Sequence, residues 1–301
     1  MKKAQIIVHG GAWNENDPDE IARHNQACKE AVEVGKKMLL EGASALETVE
    51  KVIQYLEDVP FLDAGTGAHL QLDGQARLDA SIMTDDLRFG SVLQAERIQH
   101  PISLARKILE YGYHSIIGQP GVNILSKEEG FPSYDLTTKA ELDFYYSFRE
   151  KLQAAGEREM TYKQIVENYR ESFKKRLGTV GCVVRDFAGK MAVGTSTGGL
   201  PVAYPGRVGD SGLPGGGTYC NEFGGVSCTG DGEKMMIICL AKAVVDGMEN
   251  GLDAKQAADK GIAKLAKING QGGVICIDAN GKISSSFNTS FLAKAEAEIE
   301  Q

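Results

Sequence analysis

No stretch of this chain approaches the ~20 consecutive apolar residues that a helix needs to cross a bilayer. The first apolar run, Ile6-Ile7-Val8 after Met1-Lys2-Lys3, is too short for the core of a secretory signal, so the sequence reads as cytoplasmic. Basic residues are scarce as well. With 33 of them against 41 acidic ones, a formal charge of -8, there is no patch to hold a phosphate backbone, which argues against nucleic acid as the main ligand. The six cysteines form no CxxC pair, so neither a zinc cage nor a small disulfide scaffold is indicated, and most are expected to be small buried hydrophobes. His24, His69, His100 and His114 share no metal-ligand spacing. No GxxxxGK[ST] or GxGxxG pattern lies at a strand-to-helix turn, so Gly215-Gly216-Gly217 is not read as a phosphate cradle.

What is present is enough apolar residue, 42%, to bury one large core or two modest ones. There are also 36 glycines, and they are bunched: Gly198-Gly199, Gly215-Gly217, Gly224-Gly225, Gly230, Gly232, Gly272-Gly273. Glycine serves where the backbone turns through positive φ or approaches a ligand closely, so the bunching predicts loops that build a site.

A buried strand is expected at Gln5–His9, then helices at Glu20–Leu40 and Ala43–Glu57, the second with Ser44 as its N-cap. Strands follow at Arg77–Met83 and Gly90–Ile98, a helix at Pro101–Tyr111 and a short strand at Ser115–Ile117. Between Gly118 and Leu177 the sequence turns polar, with helical stretches at Lys139–Ala155 and Tyr162–Lys175; it reads as peripheral, and its basic end Lys174-Lys175-Arg176 as exposed chain. A strand-rich half then begins: Thr179–Val184, a turn at Asp186–Lys190, Met191–Thr197 and Gly225–Thr229. Two helices, Lys234–Asn250 and Ala254–Lys267, precede a final hairpin, Val274–Ile277 and Lys282–Phe287, turned by Asn280-Gly281. Blocks of strands and helices with hairpins predict an α+β fold in which sheet packs on sheet under helices, a four-layer αββα sandwich.

Taken alone, Gly178-Thr179-Val180-Gly181 at a strand start is weak, because threonine is an ordinary β-branched sheet residue. Its companions are Thr195-Ser196-Thr197-Gly198-Gly199, then Pro205-Gly206-Arg207-Val208-Gly209-Asp210-Ser211, then Cys228-Thr229-Gly230-Asp231-Gly232-Glu233. Earlier blocks are Val8-His9-Gly10-Gly11-Ala12, Asp63-Ala64-Gly65-Thr66-Gly67 and Leu78-Asp79-Ala80-Ser81-Ile82-Met83. In this order and spacing, over residues 4–117 and 178–290, the chain resembles the plant-type asparaginase and isoaspartyl peptidase family of N-terminal-nucleophile hydrolases, relatives of the glycosylasparaginases.

The resemblance implies a precursor that cuts itself between Gly178 and Thr179, leaving an α subunit of residues 1–178, with a poorly matching linker from about 118, and a β subunit of residues 179–301 that together form one compact domain. Thr179 would be the nucleophile and its freed α-amine the general base, with a reference pKa of ~7.7–8.0 suited to neutral pH. Thr197 would orient the Thr179 hydroxyl, Arg207 would grip a substrate α-carboxylate and Asp210 the α-ammonium. Thr229 and the Gly230 N–H would form the oxyanion hole, Gly232 would line the pocket, and Asp63 would hold the nucleophile and substrate region. The implied substrates are asparagine and β-aspartyl dipeptides, with no cofactor in the chemistry. A structural sodium ion would sit on the backbone carbonyls of Leu56, Glu57, Val59, Leu62, Ala64 and Thr66, and a homodimer of αβ units is the implied assembly.

Plainer readings stand beside these. Arg207 and Asp210 would also serve as a surface ion pair, Thr197 as a strand end, Thr229 as the cap of the next helix and His9 as a structural residue. The chain carries Asp63 where many members have asparagine. Trp13 and the Thr229-Gly230-Asp231-Gly232 wording lean toward glycosylasparaginase, whereas Leu177-Gly178 before the nucleophile and Gly198 lean away. An unprocessed relative that binds amino acids without hydrolysis is the third reading.

Overall fold

The computed structural model describes residues 2–14, 17–154, 160–173 and 178–301. Strand β1 (Lys3–Trp13) leads to helices α1 (Pro18–Leu40) and α2 (Ala45–Glu57), and then to β2 (Leu78–Thr84), β3 (Phe89–Ala95), α3 (Pro101–Tyr111) and β4 (Ile116–Ile117). Three helices follow, α4 (Gly121–Glu128), α5 (Lys139–Ala154) and α6 (Tyr162–Phe173). The second half runs β5 (Val180–Arg185), β6 (Met191–Thr197), β7 (Thr218–Asn221), β8 (Gly224–Gly230), α7 (Gly232–Ile237), α8 (Leu240–Glu249), α9 (Ala254–Lys267), β9 (Gly272–Asp278), β10 (Ile283–Phe287) and β11 (Phe291–Glu300).

These elements make a mixed α/β protein with two sheets, a seven-stranded one in the order β11-β1-β5-β6-β2-β3-β4 and a four-stranded one in the order β10-β9-β8-β7. Pairing is antiparallel except between β3 and β4. Because side chains alternate along a strand, β1 presents Ile6 and Val8 to one face and Ile7 to the other. Ile6 and Val8 join Cys182 and Val184 of β5 in a cluster with Val49, Ile53 and Leu56 of α2 and Ile102 and Ile108 of α3. Ile7 joins Val183, Val193, Cys220, Ile275 and Ile277, where the two sheets meet. Val226, Cys228, Val274 and Cys276 pack instead against Leu240, Val244 and Leu265 of α8 and α9. Strands buried on both faces explain the unbroken apolar runs at Ile6–Val8 and Cys182–Val184.

Local signals account for most boundaries. Ser44 and Glu47 form a reciprocal capping box on α2, and Asp253 with Gln256 does the same on α9. Asp186 organises the β5–β6 turn by accepting from Ala188 and Lys190, and its other oxygen accepts the Ala45 N–H at the start of α2. Five of the six cysteines are buried, and burial pushes the Cys28 thiol up to about 12.

The structure corrects several expectations. The helix expected over Lys234–Asn250 is two, because Cys239 takes a left-handed conformation (φ 48°) between α7 and α8. Strands β7 and β11 and helix α4 were not expected. The described part of the 118–177 segment is not all peripheral: Phe148 and Leu152 of α5 and Ile165 of α6 form a buried cluster with Leu72 and Val202. The exposure expected of Lys174-Lys175-Arg176 lies outside the described residues.

Candidate active site

The two sheets meet in a regular stagger. A Cβ on Gly225 of β8 would touch Val193 and Val183, and two residues further a Cβ on Gly181 would stand 2.1 Å from the Ser227 hydroxyl, which bonds Thr195 at 2.7 Å. The next step of two carries Thr229 to the level of Thr197 and Thr179, all on the face between the sheets. Strand alternation thus brings together three threonines that lie far apart in the sequence.

Thr179 immediately precedes β5 and is half-buried, with its hydroxyl 3.0 Å from that of Thr197. Thr197 ends β6, accepts the Gly199 N–H at 3.0 Å and lies 3.3 Å from Asp63 Oδ2. Donation therefore runs from Thr179 to Thr197 to the Asp63 carboxylate. Asp63 is fully buried, and burial pushes its carboxyl up to about 6 against the pull of His69. Gly178 lies against Asp63 so closely that a Cβ there would be 2.8 Å from the Asp63 N and Cβ atoms, which only glycine avoids.

His9 holds the other side of Thr179. Its Nδ1 is 3.0 Å from the Thr179 carbonyl and its Nε2 is 2.9 Å from Ser227 Oγ. A carbonyl only accepts, so Nδ1 carries the proton and Nε2 takes the Ser227 hydroxyl proton. Complete burial lowers the imidazole pKa to about 3, so the ring is neutral and structural, as expected from the sequence.

Arg207 and Asp210 lie on the loop before β7, and the strands beneath fix that loop. Asp79 of β2 accepts the Gly209 N–H at 2.9 Å and the Gln94 N–H at 2.9 Å, and Gln94 donates to the Arg207 carbonyl at 2.6 Å. Ser81 donates to the Ser211 carbonyl and Ser91 to that of Gly212. Asp79 sits in a motif block recognised from sequence, but its anchoring role was missed, as were those of Gln94, Ser81 and Ser91; nothing local announces them.

The surface ion-pair reading of Arg207 and Asp210 does not hold. Arg207 pairs in bidentate fashion with Glu233, at 3.0 Å from each carboxylate oxygen, and Asp210 is buried beside it. Gly232 closes this corner: a Cβ there would lie 2.5 Å from Asp210 Oδ1 and 3.2 Å from Arg207 Nη2. Gly199, whose N–H meets Thr197, would bring a Cβ to 3.4 Å from Arg207 Nη1, which ties the head-group corner to the threonine cluster. Nor is Thr229 the cap of α7, whose N-cap is Asp231. Asp210 Oδ2 and Thr229 Oγ1 are both buried with no hydrogen-bond partner among the described residues. Such atoms are costly to bury, and two of them in one site point to a ligand that satisfies them. Burial pushes the Asp210 carboxyl up to about 7, while Arg207 pulls it down.

The last two residues of α2 and the loop after it carry the six carbonyls implied for sodium. A Cβ on Gly65 would stand 2.4 Å from the Glu57 carbonyl oxygen, and one on Gly67 would stand 3.0 Å from that of Leu62. The carbonyls of Leu56, Glu57 and Val59 already accept backbone N–H groups at 3.2, 2.8 and 3.1 Å, each with a second lone pair remaining. An all-oxygen set of this kind fits a hard cation.

Comparison with known proteins identifies the family. The family model described as asparaginase matches residues 2–301. The plant-type L-asparaginase of Pyrococcus furiosus is 38% identical over 96% of this chain and 95% of that protein. The isoaspartyl peptidase of Salmonella typhimurium is 35% identical, covering 98% and 95%, and the isoaspartyl peptidase/L-asparaginase of Xenopus laevis is 34% identical, covering 99% and 94%. The chain belongs to the asparaginase family. Among the described residues no helix is long and apolar enough to cross a membrane.

Proposed function

We propose that the chain cuts itself between Gly178 and Thr179, and that the freed Thr179 hydrolyses L-asparagine to aspartate and ammonia and also cleaves β-aspartyl dipeptides, the activities named in its relatives. The observation that carries this reading is the Thr179–Thr197 hydroxyl pair at one end of a site where Asp210 Oδ2 and Thr229 Oγ1 are buried with no hydrogen-bond partner among the described residues.

In the precursor the Thr179 hydroxyl attacks the Gly178 carbonyl, and the acyl group moves from N to O. That shift breaks the Gly178–Thr179 peptide bond and frees the Thr179 α-amine; water then hydrolyses the ester, releasing the Gly178 carboxylate and restoring the hydroxyl beside the amine. In each later turnover the amine takes the hydroxyl proton and Thr179 Oγ1 adds to the side-chain amide. Thr229 and the Gly230 N–H stabilise the oxyanion, the Thr179 α-ammonium returns its proton to the departing ammonia or, from a dipeptide, to the departing amino acid, and water clears the aspartyl ester. Arg207 and Asp210 hold the α-carboxylate and α-ammonium, Gly232 leaves room for them, and Thr197 and Asp63 orient the nucleophile. We place this chemistry in a four-layer αββα sandwich, which two apolar clusters between helices and a sheet and one between the two sheets support, and in a dimer of αβ units.

The test is intact-mass analysis of purified protein, followed by assay with asparagine, a β-aspartyl dipeptide and a glycosyl-asparagine. Two fragments meeting at Gly178/Thr179 and turnover of the first two substrates are expected. A chain that stays whole and releases no ammonia would sink the reading, and preference for the third substrate would move it to glycosylasparaginase.

The head-group assignment has a pH signature. Below about 7 the buried Asp210 of the free enzyme takes up a proton and ceases to attract an ammonium, so KM should rise by about tenfold per unit as pH falls through 6. The α-amine, by contrast, acts on kcat. A KM that stays flat from pH 8 to 5.5 contradicts the pairing. Sodium on the loop carbonyls would set the shape of the Leu56–Thr66 loop without entering the chemistry. Replacing sodium by choline should then lower the melting temperature by a few degrees, about 1 kcal/mol for a protein of this size; an unchanged midpoint removes the ion.

A further inference from the structure

Helix α5 precedes the proposed cut and lies outside the sequence blocks that carry the site residues, yet it reaches the site. Glu141, in its first turn, is buried, and its Oε2 is 3.0 Å from His69 Nδ1. His69 is buried too, and its backbone N–H donates to Asp63 Oδ1 at 3.0 Å while its Nε2 stands 3.9 Å from the same oxygen. The other Asp63 oxygen faces Thr197, which faces Thr179. A line of contacts therefore runs from Glu141 of α5 to the His69 imidazole, from His69 to Asp63 through its backbone N–H with the ring 3.9 Å away, and on through Thr197 to the Thr179 hydroxyl. Asp63 also packs against Gly178, so it stands beside the residue before the scissile bond and reaches the one after it through Thr197.

The helix is seated by more than this one contact. Tyr145 donates to the Leu72 carbonyl at 3.0 Å, and Phe148 and Leu152 pack on Leu72 and Val202. Those anchors are apolar or neutral and would hold α5 without Glu141. Two carboxylates and an imidazole taken out of water are a costly way to dock a helix that apolar packing already docks. What they add is direction: the Asp63 carboxylate is held at one oxygen so that the other points at Thr197. A carboxylate at position 63 has no N–H of its own to fix its rotation, as an asparagine would, and needs that outside hold.

We infer that Glu141 and His69 are positioning residues that fix Asp63 against Gly178 and Thr197, so that α5 is a working part of the self-cleaving site and not a spacer before it. This rests on the proposed cleavage at Gly178/Thr179. Misplacement of a reacting group by an ångström costs roughly a hundredfold in rate, so loosening Asp63 should slow the first acyl shift more than it disturbs substrate binding.

The test uses the full chain with Glu141→Ala and the isosteric Glu141→Gln, whose amide oxygen still accepts the His69 N–H. Self-cleavage is followed by intact mass, and KM and kcat are measured on the cleaved fraction, with melting temperature alongside. Glu141→Ala should slow cleavage by about ten- to a hundredfold. Its KM should stay within about twofold, and Glu141→Gln should recover most of the rate. Cleavage of Glu141→Ala at the parental rate overturns the inference. So does equal loss in both variants that follows a drop in melting temperature, since that is the mark of a merely structural contact. If the parental chain itself is never cut, the functional reading falls and this inference with it; if the parent is cut and Glu141→Ala is cut equally fast, only the inference falls.

Discussion

Thr179→Ala is expected to remain a single species of 32.4 kDa indefinitely and to release no ammonia from asparagine above background. The substitution removes the one hydroxyl that both the acyl shift and the later turnovers require, so two independent readouts fail together. Removing a nucleophile typically costs about 10⁴-fold or more in turnover, the residue being what binding and the oxyanion hole still supply. The fold should survive, because Thr179 is half-buried at a strand start and its carbonyl, the atom His9 holds, is unchanged. Thr179→Ser separates the steps further: it keeps a hydroxyl and should cleave, whereas retention of hydrolysis by the alanine variant would remove Thr179 from the mechanism altogether.

Arg207→Lys should cut kcat/KM for asparagine by about 10³-fold while leaving self-cleavage intact. The guanidinium offers a planar fork already aligned by two bonds to Glu233, and a lysine presents a point charge that reproduces neither the fork nor the alignment. Disrupting a desolvated charge-assisted pair costs about 2–5 kcal/mol, here because the lysine ammonium keeps the charge near Asp210 and Glu233 but not the paired, aligned bonds. Cleavage at Gly178 involves no amino-acid head group, so intact mass should show the usual two fragments. A loss below about tenfold in steady-state kinetics would mean that the α-carboxylate is held elsewhere.

Much of this arrangement is legible in the sequence because it rests on local rules. The α2 and α9 caps, the Asp186 turn and the double-sided burial of β1 and β5 are each written in a few adjacent residues. Strand β11 is not: Ala293-Lys294-Ala295-Glu296-Ala297-Glu298 is made of good helix formers and becomes a strand only through its pairing with β1. Cys239 breaks the α7–α8 helix without a proline or glycine to announce it. The threonines, Arg207 and Asp210 were recognised because motif blocks carry them. Glu233 was read only as part of a helix start, and the contact of Glu141 with His69 spans 72 residues of sequence. Such pairings are products of the tertiary fold and leave no periodic or compositional trace.

The order of the seven-stranded sheet bears on what a broken chain would mean. Strand β1, from before the proposed cut, lies between β11 and β5, both from after it, and β2 pairs with β6 across the same divide. The two pieces would be interleaved like the fingers of two hands, so that pulling them apart is unfolding rather than dissociation. Dilution should not separate them in the native state. Once denatured, however, the nicked protein would have to find its other half by collision, and its renaturation yield would depend on concentration, whereas the uncut Thr179→Ala chain would refold alone.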